Sequence, residues 1–212
     1  RNTFHTGNAV RLACQELKKK AVDMASKKFE IRPEEIEFKD GNLHIKGTPE
    51  KIIKLSSLFT AEGLPLTGAD LSASASFTLR NVHEDPETGQ SERSKASYCH
   101  GAHAVEVAVN EETGEVRVLR ITGCFDVGNP INPKMVESQI EGGFGMGIGS
   151  TLYEESVMEN GAMLNPNFSD YKVPEAAELP TGENAQALIV STPHRDGPYG
   201  AKGVGEAVLI PL

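Results

Sequence analysis

The chain has 212 residues, 38% of them hydrophobic and 24% charged, with a formal net charge of −9. That length accommodates one large domain or two small ones, and the composition is that of a globular protein. The acidic balance speaks against a nucleic-acid partner, which needs a clustered basic face, and no apolar run approaches the ~18–20 residues that span a bilayer.

In chain order, residues 6–28 read as an amphipathic helix. Thr6 is placed to cap it, and Val10, Ala13, Cys14, Leu17, Ala21, Met24 and Ala25 recur at near-helical spacing. Lys18, Lys19, Lys20, Lys27 and Lys28 form its solvated face. Residues 35–38 and 43–45 flank Asp40-Gly41, a pair suited to positive φ, and predict a short hairpin. Residues 54–61 predict a brief helix. Residues 64–95, rich in Ser, Gly, Pro and charge, predict a long, partly extended loop whose clearest turn is Asp85-Pro86-Glu87-Thr88-Gly89. Alternation begins at His103, with His103, Val105, Val107 and Val109 on one face. After a turn at 110–114, residues 115–121 return as a second strand. Pro130 and Pro133 break the chain before a helix at 134–155. A hairpin around Asn160-Gly161, a strand at 187–191 and a glycine-studded loop at 197–205 complete the chain. No repeat is found, and the mixture of helices with locally paired strands predicts an α+β fold.

The first residue is Arg1, and the last three, Ile210-Pro211-Leu212, lie within an apolar stretch. Polar, frayed ends are the commoner pattern, so the chain reads as a piece of a longer polypeptide. The chain contains no charged n-region followed by an apolar h-region, so no secretory signal is expected. Cys14, Cys99 and Cys124 contain no CxxC pair, which fits a reducing compartment, with the cytoplasm as the expected location.

Two clusters carry the chemistry. The predicted helix at 134–155 holds Gly142, Gly143, Gly145, Gly147 and Gly149, each costing ~1 kcal/mol against alanine in a helix interior. No triplet has the GxGxxG spacing of a dinucleotide fingerprint. A tight helix contact in the core, or close approach of a flat cofactor to a bared face, remain as readings. Gln139, one turn before Gly143, has an amide that reaches the same side with both a donor and an acceptor. The second cluster is Gly200-Ala201-Lys202-Gly203-Val204-Gly205-Glu206. Its glycines permit a sharp turn, and Glu206 either caps a following helix or serves as a general base. Cys99, His100 and His103 have the spacing of metal ligands but no second pair nearby, and no GxSxG elbow signals a serine nucleophile.

Four stretches together resemble one family. Residues 125–133 (FDVGNPINP) look like the "DxGxxxNP" approach to the glycine-rich helix of the molybdenum hydroxylases of xanthine dehydrogenase/aldehyde oxidase type. Residues 139–155 are similar to their "Q(I/V)EGxxxxGxGxxLxEE" helix, Tyr171-Lys172-Val173-Pro174 with Leu179-Pro180 to "YK(I/V)P…(I/L)P", and residues 202–206 to "KxVGE". Thr6-Gly7-Asn8-Ala9-Val10 also resembles the start of the helix after their cofactor loop. The likeness is weakest at residues 29–95.

The resemblance implies that residues 1–212 form a C-terminal segment of the molybdopterin-binding large subunit, an α+β fragment with a glycine-rich helix and locally paired antiparallel strands. It implies that Glu206 is the catalytic base, deprotonating a Mo–OH group whose oxygen attacks an electron-poor substrate carbon while hydride passes to a Mo=S sulfur. It further implies that Gln139 bonds the pterin, that Gly142, Gly143 and Gly147 line it, and that Gly203, Val204 and Gly205 form the adjoining loop. No protein metal ligand is expected, because the pterin dithiolene holds the molybdenum. The implied cofactor is molybdenum-molybdopterin in its cytosine dinucleotide form, with iron–sulfur clusters and FAD on partner subunits or domains. The N-terminal part of the molybdenum subunit and a small-molecule substrate complete the partners, in an assembly built as a homodimer of heteromers. Purine, nicotinate, aldehyde, carbon monoxide and an aromatic CoA thioester are all substrates of the family type. The segment alone is expected to be inactive. The competing reading is a catalytically inactive scaffold relative.

Overall fold

The computed structural model describes residues 2–61, 64–65, 70–79, 83–92, 95 and 97–209. Arg1, the apolar end Ile210-Pro211-Leu212 and parts of the expected 64–95 loop lie outside the described residues. The chain divides into two compact units. One is His5–Thr78; the other is Leu79–Leu212 together with Arg1–Phe4.

In the first unit, α1 (Gly7–Phe29) starts without the expected cap. A π-helical run, Asn2–Thr6, leads straight into it, and Thr6 has helical φ −64° and ψ −41° with no side-chain bond. A capping side chain needs an extended cap residue, so a helix that is already under way leaves Thr6 nothing to cap. At the other end Glu30 turns left-handed (φ 55°) and returns its N–H to the Ser26 carbonyl. The expected apolar stripe is buried only in its second half. Ala21 and Ala25 are fully buried, whereas Val10 and Cys14 face solvent. The cover is short: Ile36, Leu43 and Leu58 are the other buried members of this core. The hairpin forms as expected from β1 (Ile36–Lys39) and β2 (Asn42–Ile45), with Asp40 at φ 49° and Gly41 at φ 74°. β3 (Thr48–Ile53) adds to β2 and was not foreseen. The brief helix at 54–61 is a 3₁₀ segment, Leu55–Phe59. Beyond it β4 (Thr60–Ala61) pairs with β5 (Leu64–Pro65).

The second unit is built round a three-stranded sheet. β6 (Gly101–Val109) and β7 (Val116–Asp126) are antiparallel across the predicted turn, where Asn110 Oδ1 accepts the Glu112 and Thr113 N–H groups and Gly114 sits at φ 75°. Glu106 faces Arg120 but Val107 faces Val118, so Leu119 is a bulge residue. The bulge shifts the phase of burial along β7: Val118 lies before it, then Ile121, Gly123 and Phe125 after it.

α2 (Pro133–Ile148) begins where the proline pattern predicts. Asn132 Oδ1 accepts the Met135 N–H at 3.2 Å, and Pro133 takes the first turn, where its missing donor is harmless. The expected helix at 134–155 ends as α-helix at Ile148 and continues as a π-helical turn, Gly149–Tyr153. Glu154 then folds back: its N–H bonds the Gly149 carbonyl, and its carboxylate lies over Gly149, where a Cβ would strike it. The Tyr171 hydroxyl donates to Glu154 Oε2 at 2.7 Å, so the tyrosine of the "YKVP" stretch holds this fold-back in place.

β8 (Met158–Glu159) and β9 (Ala162–Met163) form the hairpin expected at Asn160-Gly161. β10 (Ala185–Val190) then joins β7 in parallel, giving the order β10-β7-β6. This parallel pair is an addition to the expected antiparallel pairing. α2 lies in the crossover that a parallel pair requires, and Ile140 and Phe144 pack with Ile121, Phe125, Val127 and Val208 in the core. No helix among the described residues is long and apolar enough to cross a membrane.

Candidate functional site

The site is assembled at the C-terminal end of β7. Asp126, its last residue, accepts the Gly128 N–H (3.0 Å) and the Thr192 N–H (3.1 Å) on Oδ1, and Lys202 Nζ (2.7 Å) on Oδ2. The side chains of Lys202 and Asp126 are only 9% and 14% exposed. Burial alone pushes the Asp126 carboxyl up, but the Lys202 hydrogen bond, the two amides and the lysine charge together hold it at about 2.

The next three residues tie the same loop down. Lys202 donates its N–H to the Val127 carbonyl at 2.8 Å, and Gly128 bridges to Ala201. Gly128 is at φ 64°, and a side chain there would strike the Gly200 carbonyl. Asn129 donates its backbone N–H to Gly200 O (3.0 Å) and Nδ2 to Tyr199 O (3.1 Å), and accepts Ser191 Oγ at 3.0 Å. Residues 126–129 therefore clasp the segment 191–202 at several independent points.

Beyond Lys202 the chain crosses to α2. Gln139 Nε2 donates to the Gly205 carbonyl at 3.2 Å, Gly205 takes φ 49°, and a turn follows in which Ala207 N–H bonds Val204 O and Leu209 N–H bonds Glu206 O, both at 3.2 Å. Val204 and Ala207 pack on the core, and Val208 is fully buried. Glu206 is exposed, and its carboxylate accepts no hydrogen bond among the described residues. Residues 205–209 around it form a turn.

The predicted site residues divide accordingly. Gln139, Gly205 and Glu206 are brought together. Gly203 and Val204 form the half-buried first part of the turn. Gly142 is exposed, with nothing within 4 Å of where its Cβ would stand. Gly147 is buried. The expectation that Gly143 bares a face for a cofactor is corrected: a Cβ there would overlap Val208 Cγ2 and lie 2.7 Å from Val208 Cβ. Gly143 meets the core-packing reading instead. A Cβ on Gly145 would lie 3.3 Å from Leu179 Cδ1, beside a cavity of about 300 Å³ lined by Phe144, Ile148, Leu179 and Pro180.

Two of the three residues with metal-ligand spacing, Cys99 and His103, are engaged in other contacts. Cys99 directs its thiol to the Asp126 carbonyl (3.7 Å). His103 stands edge-on to Phe125 and Phe144 at 5.2 and 5.3 Å, and burial lowers its pKa. Asp126, Asn129, Lys202 and Val208 were not predicted to have roles. Asp126 and Lys202 stood in two quoted motifs, but they are 76 residues apart and only the fold pairs them.

The surface made by Gln139, Gly142 and the 203–206 turn suits a flat, polar heterocycle. The Gly142 face admits close approach. Gln139 spends one donor on Gly205 and retains a second donor and its carbonyl oxygen.

The profile of the molybdopterin cofactor-binding domain matches residues 1–180. The 6-hydroxypseudooxynicotine dehydrogenase complex subunit gamma of Paenarthrobacter nicotinovorans is 31% identical across 99% of this chain and 25% of its own length. The putative xanthine dehydrogenase molybdenum-binding subunit of Escherichia coli K12 is 29% identical across 100% of this chain and 26% of its own length. The aldehyde oxidoreductase of Desulfovibrio gigas superposes with a TM-score of 0.71 at 26% identity, covering 99% of this chain and 19% of that one. The chain thus spans about a quarter of the length of these curated relatives. On the match over residues 1–180, this chain belongs to the molybdopterin cofactor-binding domain family.

Proposed function

We propose that the chain supplies one wall of a molybdopterin site and the general base of a molybdenum-dependent hydroxylase of xanthine dehydrogenase type. The observation that carries this reading is the Gln139–Gly205 hydrogen bond, which ties the residue before Glu206 to α2, the helix on which Gly142 stands open. When bound, the molybdenum cofactor supplies the two-electron redox chemistry.

The chain's own residues do the rest. Gln139 orients the pterin through its remaining donor and acceptor, and Gly142 lets the ring approach the helix. Glu206 takes the proton of the attacking hydroxyl on a carboxylate oxygen, for which an exposed carboxylate without a competing hydrogen bond among the described residues is suited. The substrate is a small molecule with an electron-poor carbon, an aldehyde or an aromatic heterocycle. Names among the relatives include nicotine 6-hydroxylase, aldehyde oxidoreductase and carbon monoxide dehydrogenase. Electrons leave to iron–sulfur and FAD subunits or domains, and the pterin carries the cytosine dinucleotide.

The test is Glu206→Gln in the full-length enzyme. The amide keeps shape and reach but takes no proton at neutral pH, so turnover falls by ~10²–10⁴-fold while molybdenum content holds. A variant with full molybdenum and more than about a tenth of the activity would show that another group is the base.

A further inference from the structure

We propose that Asp126 and Lys202 are positioning residues for Glu206, forming a buried clasp that fixes the start of the turn whose far side is held by Gln139. The inference rests on the reading of Glu206 as general base.

The turn is seated at two places. At its start, the Lys202 ammonium reaches Asp126 Oδ2 at 2.7 Å while the Lys202 N–H bonds the Val127 carbonyl at 2.8 Å, so both side chain and backbone of the same residue are tied to the end of β7. Three residues later, Gln139 ties Gly205 to α2. Between these ties lie only Gly203 and Val204, and Gly205 takes the second tie itself; the two glycines leave the backbone weak resistance to displacement. Glu206 follows directly. Its position therefore depends on where Lys202 is held.

Asp126 suits that task in a way one surface ion pair would not. Its Oδ1 gathers the amides of Gly128 and Thr192, from the connection after β7 and the segment after β10. The carboxylate is thereby fixed in orientation before it meets the lysine. Both side chains are largely withdrawn from solvent, so removing one leaves the other buried and unpaired. A general base must stay within hydrogen-bond reach of its proton, and a misplacement of ~1 Å costs ~100-fold in rate.

Asp126→Asn is the mildest probe. The amide oxygen keeps the Gly128 and Thr192 bonds, but its NH₂ meets the Lys202 ammonium donor to donor. Lys202→Met keeps the stem and removes the charge, and Lys202→Arg keeps the charge. In the full-length holoenzyme, Asp126→Asn and Lys202→Met are expected to raise hydrogen exchange at the Lys202 and Ala207 amides by about tenfold or more, with β7 amides unchanged. They are expected to lower kcat by ~10–100-fold with KM within about twofold, and the double variant is expected to be no worse than either single one. Lys202→Arg should restore most of both readouts.

Unchanged exchange at Lys202 and Ala207 in Asp126→Asn and Lys202→Met would overturn the clasp. So would a Lys202→Arg variant as loose as Lys202→Met. Glu206→Gln run alongside separates the two readings. If that variant keeps its turnover, the base assignment falls, while the exchange data still decide whether Asp126 and Lys202 hold the turn.

Discussion

Val208 occupies the space in which residue 143 would carry its side chain: a Cβ built on Gly143 would lie 2.7 Å from Val208 Cβ. Two residues beyond Glu206, the chain is thus pressed against α2. Gly142, the neighbouring glycine, faces open space.

The two glycines should respond oppositely. Gly143→Ala must displace a fully buried valine, and overpacking of that kind costs about 1–3 kcal/mol, more than the ~1 kcal/mol of helix propensity it regains. Gly142→Ala meets nothing and should stabilise the chain by ~1 kcal/mol. Thermal unfolding of both variants checks this, and two stabilised variants would mean that Val208 is not seated as described. In the full-length enzyme Gly142→Ala should instead reduce molybdenum content, because the added methyl group stands on the wall assigned to the pterin.

Asp126 makes stability depend on pH in a defined window. Its folded pKa is about 2 against an ordinary 3.8, so the unfolded chain binds the proton first on acidification. The resulting ~2 kcal/mol is fully present above pH ~3.8 and is lost as pH falls through ~2. Asp126→Asn forfeits it at neutral pH and should flatten this part of the acid limb. Denaturant unfolding across that range, for parent and variant, measures the difference, and parallel curves would refute it.

Local signals explain most of what the sequence revealed. Asp40-Gly41 and Asn160-Gly161 act over a few residues and lie where they were expected, and α2 begins beside the expected Pro133 break. β3 was missed because its pairing with β2 passes a register shift between His44 and Ile45. The π-helical turn after Ile148 depends on Glu154 folding over Gly149 under the hold of Tyr171, a contact 17 residues apart. The site divides the same way. Gln139 and Glu206 came from motifs, whereas the Asp126–Lys202 pair and the filling of Gly143 by Val208 are long-range, and the glycine pattern alone left core packing and cofactor approach as alternatives.

His103 predicts a second pH effect. Its ring is packed between Phe125 and Phe144, with neither nitrogen hydrogen-bonded, and burial lowers its pKa from 6.5. Below pH ~6.5 the unfolded chain therefore binds a proton that the folded chain resists, and stability declines with acidification until the folded pKa is passed. His103→Phe carries no proton and keeps edge-on ring contacts. Its stability relative to the parent should rise as pH falls from 8 to 5. A constant difference across that range would show that His103 is not protected from protonation.

Gln139 carries two roles that one pair of variants separates. Its Nε2 bond to the Gly205 carbonyl holds the Glu206 turn, and its other donor and its carbonyl oxygen are assigned to the pterin. Gln139→Met keeps length and volume but has neither donor nor acceptor of consequence, so it should loosen the turn and reduce molybdenum content together. Gln139→Glu places a carboxylate against the Gly205 carbonyl at neutral pH, which should loosen the turn at least as much, yet it still offers the pterin an acceptor. The two variants should therefore agree in hydrogen exchange at Ala207 and differ in molybdenum content, with Gln139→Met the poorer. The exposed bond to Gly205 is itself worth only ~0.5–1.5 kcal/mol, so neither variant should unfold. If both keep full molybdenum while the Ala207 amide exchanges faster, Gln139 holds the turn and does not touch the cofactor.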